Sequence, residues 1–195
     1  MRIEFSYDRA RAVEYARKWA LSRNPLFVDF TGQGGNCTNF VSQCIFAGSG
    51  VMNFTPTFGW YYISPNDRAP AWSGVDEFYR FMTENPDFIQ TNGGIGPYGR
   101  EARMRREVEI GDVIQLANAD GRFYHTLIIS EIRPNDILVC AQSDDALDRP
   151  LSTYNYASLR VIHLLGVRAD VPFELYAKNV FDAVSLPMAM RANMS

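Results

Sequence analysis

The thiols and imidazoles of this 195-residue chain are Cys37, Cys44, Cys140, His125 and His163, and they bound its nucleophilic and soft-metal chemistry. Cys37 follows Gly34-Gly35-Asn36 and opens a run in which Cys37, Phe40, Val41, Cys44, Ile45 and Ala47 recur at helical spacing, with Gly48 placed to end the helix. A cysteine in the first turn of a helix meets unpaired backbone N–H groups and the positive end of the dipole, which together stabilise a thiolate. The two glycines let a substrate carbonyl come close, and the Cys37 N–H could donate to the oxyanion formed on attack. Periodicity by itself favours a plainer reading, in which Cys37 is the first apolar residue of a buried stripe. Cys44, two turns on, and Cys140, inside a strand, read as core.

A thiolate nucleophile needs a base. His125 opens the run His125-Thr126-Leu127-Ile128-Ile129-Ser130, after the strand Gly111-Asp112-Val113-Ile114, and its position alone does not make it one. His163, between Val161-Ile162 and Leu164-Leu165, suits a packing role. Neither C-x-x-C nor C-x-x-H occurs, so no zinc site, no disulfide framework and no cofactor is expected.

The elements that must hold these groups read as follows. Ala12, Val13, Ala16, Trp19 and Ala20 form one stripe of a helix from about Tyr7 to Arg23, stopped by Pro25. From Gly50 to Ala71 no period is clean, which predicts a long ordered loop. Its aromatics (Phe54, Phe58, Trp60, Tyr61, Tyr62) could line a substrate groove, with Trp60 a candidate binding residue, or pin the loop as a small hydrophobic cluster. Ser73 reads as the N-cap of a helix from Gly74 to about Thr83, ended by Asn85-Pro86, and Gly93 to Pro97 reads as a loop. Strands are predicted at 112–116, 123–130, 137–142 and 159–167, with turns at Asp120-Gly121 and Pro134-Asn135-Asp136. Helices first and an antiparallel meander after them is an α+β arrangement. Residues 1–169 form the domain, and 170–195 an extension in which a terminal helix is conceivable.

Composition is ordinary for a folded domain, with 47% hydrophobic and 21% charged residues. A net charge of −3 invites neither nucleic acid nor anionic lipid, and Arg100 to Arg106, interrupted by Glu101 and Glu107, reads as a solvated loop. No apolar run approaches the ~20 residues of a membrane span. The amino terminus lacks a signal-peptide core, so the chain as given reads as cytoplasmic, although a trimmed secreted parent would look the same.

The helix Gly-Gly-x-Cys-Thr-Asn-Phe-Val-Ser-Gln-Cys, the strand Gly-Asp-Val-Ile and a next strand beginning with His, in that order, resemble the putative amidase domain of bacteria. That family is a branch of the papain-like superfamily with the NlpC-like and CHAP-like wall hydrolases. Tyr7-Asp8-Arg9, Ala12-Val13, Tyr15-Ala16, Trp19-Ala20, Asn24-Pro25 and Trp72-Ser73 also match, so the resemblance spans about residues 7 to 165. It implies a nucleophile-bearing helix packed on an antiparallel sheet, with Cys37 and His125 facing one cleft. It also implies a third polar group on the strand from Ile137 to Gln142, where Gln142, Ser143, Asp144 and Asp145 stand, Gln142 or Asp144 orienting the imidazole. Relatives carry Asp where this chain has Asn36, and His where it has Gln142. Gln33 could supply a second oxyanion donor, or be a solvated loop residue, and Asn36, next to Cys37, is a further oxyanion or substrate-binding candidate. The implied substrate is a peptide or cell-wall peptide, cleaved without metal. An acyltransferase or deamidase on the same fold, or a silent binding module, are the rival readings.

Overall fold

The structure, a computed structural model, describes residues 2–170. In chain order the elements are β1 (Ile3–Phe5), α1 (Arg9–Trp19), α2 (Cys37–Ser49), β2 (Tyr62–Ser64), β3 (Asp67–Arg68), α3 (Pro70–Ser73), α4 (Val75–Met82), α5 (Pro86–Asn92), β4 (Gly96–Glu101), β5 (Val113–Ala117), β6 (Phe123–Ile132), β7 (Ile137–Ala141), β8 (Ala146–Pro150) and β9 (Ser158–Ala169). Short 3₁₀ turns cover Arg105–Glu107 and Leu151–Thr153. The arrangement is α+β. All seven strands of the main sheet pair antiparallel, in the order β1-β9-β5-β6-β7-β8 with β4 also on β9. Because Ile162 pairs with both Val113 and Glu101, and Val167 with both Phe5 and Pro97, β4 lies along one side of β9 and β5 and β1 share the other.

Strand periodicity divides the core between the two faces of this sheet. Val113, Ile128, Cys140 and Ile162 meet the helices in one cluster, while Ile114, Leu127, Ile129, Val139 and Ala141 belong to a second. That second cluster is closed by Leu151, Tyr154 and Tyr156, from the segment after β8. His125 has the parity of Leu127 and Ile129, so it leans toward the Tyr154 side.

Helix α2 is buried along its whole length. It does not stop at Gly48; Gly50, at φ 66°, takes the left-handed capping position. Gly48 serves close packing instead. A Cβ there would stand 2.5 Å from the Asp8 carbonyl oxygen and 2.6 Å from the Tyr7 ring, where the Asp8 N–H donates to the Gly48 carbonyl at 2.9 Å. Gly48→Ala is expected to lower the unfolding free energy by about 1–3 kcal/mol in urea titrations. A gain of about 1 kcal/mol, as helix propensity alone would give, would contradict that packing argument.

Several expectations are corrected. The first helix is shorter than the stripe suggested, running from an Asp8 cap that accepts from the Arg11 N–H. Ser73 ends α3 rather than capping α4, whose N-cap is Gly74. Asn85-Pro86 starts α5, because Asn85 caps the Asp87 N–H and proline suits the first helical position. The segment from Gly96 onward is strand β4, not loop, and Arg100 and Glu101 belong to it. The interval from Gly50 to Ala71 contains the hairpin β2-β3. Trp60 does not line a groove. It is fully buried, its ring 4.9 Å from Trp72 and 6.0 Å from Phe81 and its indole N–H donating to Ser42 Oγ at 3.0 Å. The conceivable terminal helix lies outside the described residues, and no helix among them is long and apolar enough to cross a membrane.

Candidate active site

Cys37 is the first residue of α2, with Asn36 in the N-cap position. The first intrahelical bond runs from the Phe40 N–H to the Asn36 carbonyl at 2.9 Å, and helix geometry leaves the earlier N–H groups without intrahelical acceptors. Gly34 and Gly35, at φ 102° and 104°, present backbone without side chains to the cleft that Cys37 lines. Cys37 and His125 line one cleft of about 390 Å³, with Gly34, Gly35, Tyr124, Ser143, Asp144, Arg149, Tyr154 and Asn155. Both side chains are recessed, Cys37 at 7% and His125 at 8% exposure.

The polar residues of the α2 motif are mostly architectural. Thr38 Oγ1 meets Thr126 Oγ1 at 2.9 Å, one residue from His125, and so ties α2 to β6. Asn39 donates to the Val28 carbonyl and to Asn36 Oδ1, and its own oxygen accepts from the Trp72 indole at 2.8 Å. Ser42 donates to the Trp72 carbonyl, and Gln43 accepts from the Tyr15 hydroxyl at 2.9 Å. These contacts hold α2 rigidly enough to aim its first residue.

Asn36 and Gln142 have a similar role. Asn36 accepts from the Phe30 N–H, and its amide donates to Gln142 Oε1 at 2.5 Å. The Gln142 amide donates to the carbonyls of Trp19 and Ser22 at 2.8 and 2.7 Å. Gln142 therefore bonds the cysteine loop to the end of α1 and makes no bond to His125, which corrects its expected orienting role. The Asn36 N–H donates to Ser143 Oγ at 2.5 Å, a second tie between the loop and the end of β7. Gln33 is exposed and outside the lining of the cleft. Asp144 does line it, but its carboxylate accepts from Arg149 Nη1 at 2.7 Å and its side chain is 73% exposed. Asp145 pairs with Arg23 at 3.0 Å.

Burial pushes the His125 imidazole below its ordinary range; the Asp144 charge opposes that shift and the Arg149 charge adds to it. Burial thus favours the neutral ring, the form that can accept a proton. Tyr124 stacks on it at 6.2 Å with planes 10° apart, and Tyr154 is tilted against it at 6.1 Å. Burial raises the thiols of Cys44 and Cys140, which marks them as inert core groups.

The other half of the resemblance forms a buried cluster away from the cleft. Asp112, fully buried, receives Arg9 Nη1 at 2.6 Å, the Leu164 N–H at 3.0 Å and the Glu109 N–H at 2.8 Å, and its second oxygen lies 2.8 Å from His163 Nδ1. With a carboxylate as partner, that nitrogen carries the hydrogen. Arg9 also donates to the carbonyls of Ile110 and Leu164. His163 is thus polar cement between α1, β5 and β9. Reading the sequence missed Tyr124, Arg149, Tyr154 and Asn155. Only Tyr124, the chain neighbour of His125, had a local signal; the others lie in or after β8, a strand without readable alternation.

A family model described as "Putative amidase domain" matches residues 6–165 of the chain. The uncharacterized protein YhbB of Bacillus subtilis (strain 168) is 32% identical over 145 residues, covering 73% of this chain and 43% of that relative, so the chain spans less than half the relative's length. No solved structure matches the chain. The stretch matched by the family model holds α2, the His125 strand and the Arg9–Asp112–His163 cluster, and the chain belongs to the putative amidase domain family.

Proposed function

We propose that this chain hydrolyses an amide bond by nucleophilic catalysis on a papain-like scaffold, with Cys37 as nucleophile and His125 as general base. One observation carries the reading: a cysteine at a helix N-terminus and a recessed neutral histidine share a cleft bordered by bare glycine backbone. In the reaction the Cys37 sulfur attacks the amide carbon while its proton passes to His125. The oxyanion is met by first-turn N–H groups of α2, that of Cys37 among them. His125 returns the proton to the leaving nitrogen, a thioester remains, and water activated by His125 releases the acid. Asp144, whose charge is felt at the imidazole, favours its protonated form at that moment. A peptide or cell-wall peptide substrate follows from the superfamily resemblance alone. Transfer of the acyl group to an amine would use the same two residues and would show as an amide product in place of an acid.

Iodoacetamide is expected to modify Cys37 well before Cys44 or Cys140, as read by peptide mass spectrometry, and His125→Ala should slow that reaction. Turnover should fall as pH drops, because protonated His125 cannot accept the thiol proton. Since burial depresses the imidazole, the acid limb of kcat/KM should lie below pH 6.5. Equal labelling of all three cysteines, indifferent to His125, would sink the proposal.

A further inference from the structure

A neutral His125 takes the Cys37 proton at the ring nitrogen facing the cleft, and its other nitrogen must then carry the hydrogen. Nε2 is sealed from solvent and has no hydrogen-bond partner among the described residues; with the hydrogen on Nε2, the lone pair left for the cleft is that of Nδ1. A buried N–H without an acceptor is disfavoured, and that tautomer is secured only if something accepts from it. The two residues expected to do so are committed elsewhere, Gln142 to Asn36 and two carbonyls, Asp144 to Arg149.

Tyr154 is less fully committed: its ring centroid is 6.1 Å from that of His125, and its hydroxyl is likewise sealed, with the Arg149 guanidinium acting on it but no hydrogen bond of good geometry among the described residues. The ring is backed by Arg149, whose Cζ stands 4.0 Å from its centroid. Arg149 is itself pinned by Thr153 Oγ1 at 2.9 Å, the Thr153 carbonyl at 3.3 Å and Asp144 at 2.7 Å. Tyr124, whose ring stacks with the imidazole, is fixed by its hydroxyl donating to the Asn155 carbonyl at 3.0 Å.

We infer that Tyr154 is the positioning residue of His125: with the phenol turned toward the imidazole its oxygen accepts the hydrogen on Nε2, leaving the lone pair at Nδ1 for the Cys37 proton. When that proton arrives the ring becomes an imidazolium, and the same hydrogen bond strengthens because its donor is charged. Tyr154 stays a neutral phenol, since burial raises it to about 12, and its oxygen is far less basic than an imidazole nitrogen, so it accepts the hydrogen bond without taking the proton. The inference rests on the Cys37–His125 reading, and its test separates the two.

Tyr154→Phe removes the hydroxyl and keeps the ring, its packing and its contact with Arg149. Nitrogen-15 NMR of the His125 ring, assigned by its loss in His125→Ala, should show the Nε2–H tautomer in the wild type and a mixture in Tyr154→Phe. Alkylation of Cys37 by iodoacetamide should fall by roughly tenfold in the variant, with its melting temperature unchanged. Wild-type tautomer and alkylation retained in Tyr154→Phe would overturn the role of Tyr154 while leaving the dyad standing. If wild-type alkylation ignores His125→Ala, the dyad itself fails, and the tautomer signal alone then decides whether Tyr154 holds the ring.

Discussion

Cys37→Ser should abolish amide hydrolysis, lowering kcat/KM by at least about a thousandfold, while the protein still folds. The expectation follows from chemistry and burial together. A serine hydroxyl at this site has the same place in the first turn of α2, yet it gives up its proton far less readily than a thiol. Oxygen is smaller than sulfur, so the recessed pocket at the end of α2 accepts it, and the Thr38–Thr126 bond beside it is untouched. No other thiol can take over, because Cys44 and Cys140 are fully buried in the core with their thiols raised. The check is turnover of a fluorogenic peptide or muropeptide series by wild type, Cys37→Ser and His125→Ala, each with its melting curve. Activity within tenfold of wild type in Cys37→Ser would move the nucleophile elsewhere, whereas loss in both variants with intact melting curves localises the chemistry to the cleft.

The second large effect is on stability and lies away from the cleft. Asp112→Ala should lower the unfolding free energy by about 3–5 kcal/mol, because it leaves Arg9, His163 and two backbone N–H groups without the carboxylate that receives them. For a domain of this size that is a fall in melting temperature of roughly 10 °C or more. Against a total stability of about 5–15 kcal/mol the change is large enough to reduce the folded fraction in cells. Asp112→Asn, which keeps one acceptor, should fall between the two. A shift of under about 1 kcal/mol in Asp112→Ala would show that the cluster adds no net stability and that its members find water instead. The same variant should leave the intrinsic reactivity of the folded fraction's Cys37 intact, since the cluster does not line the cleft.

These two predictions separate the halves of the sequence resemblance. Of the α2 motif, Cys37 faces the cleft, while Thr38, Asn39, Ser42 and Gln43 spend their polar groups on Thr126, Trp72 and Tyr15. Of Tyr7-Asp8-Arg9 and Gly111-Asp112, all are structural: Asp8 caps α1, Arg9 and Asp112 pair, and the Tyr7 hydroxyl donates to the Gly111 carbonyl at 3.2 Å. A motif specific enough to suggest a family can therefore consist largely of residues that aim one atom.

What the sequence determined by itself is local. The stripe of Ala12, Val13 and Ala16 made α1 visible, the glycines before Cys37 marked the start of α2, and runs set off by turn residues located four of the sheet's seven strands, because such patterns are set by neighbours a few positions apart. Tertiary structure decided the rest. Strand β4, with Gly96, Pro97 and Gly99, has no strand pattern of its own and exists because β9 supplies its hydrogen-bond partners. Trp60 looked free to line a groove until Trp72 and Phe81, from elements beyond its own loop, closed over it. Gln142 looked poised for His125, but the end of α1 and Asn36 claim all of its amide. Tyr154 meets His125 only because the chain turns after β8 and lays the phenol on the far face of the sheet. Each of these outcomes depends on which groups compete for a hydrogen bond or a buried volume, and that competition runs between residues many positions apart in the chain, where no periodicity records it.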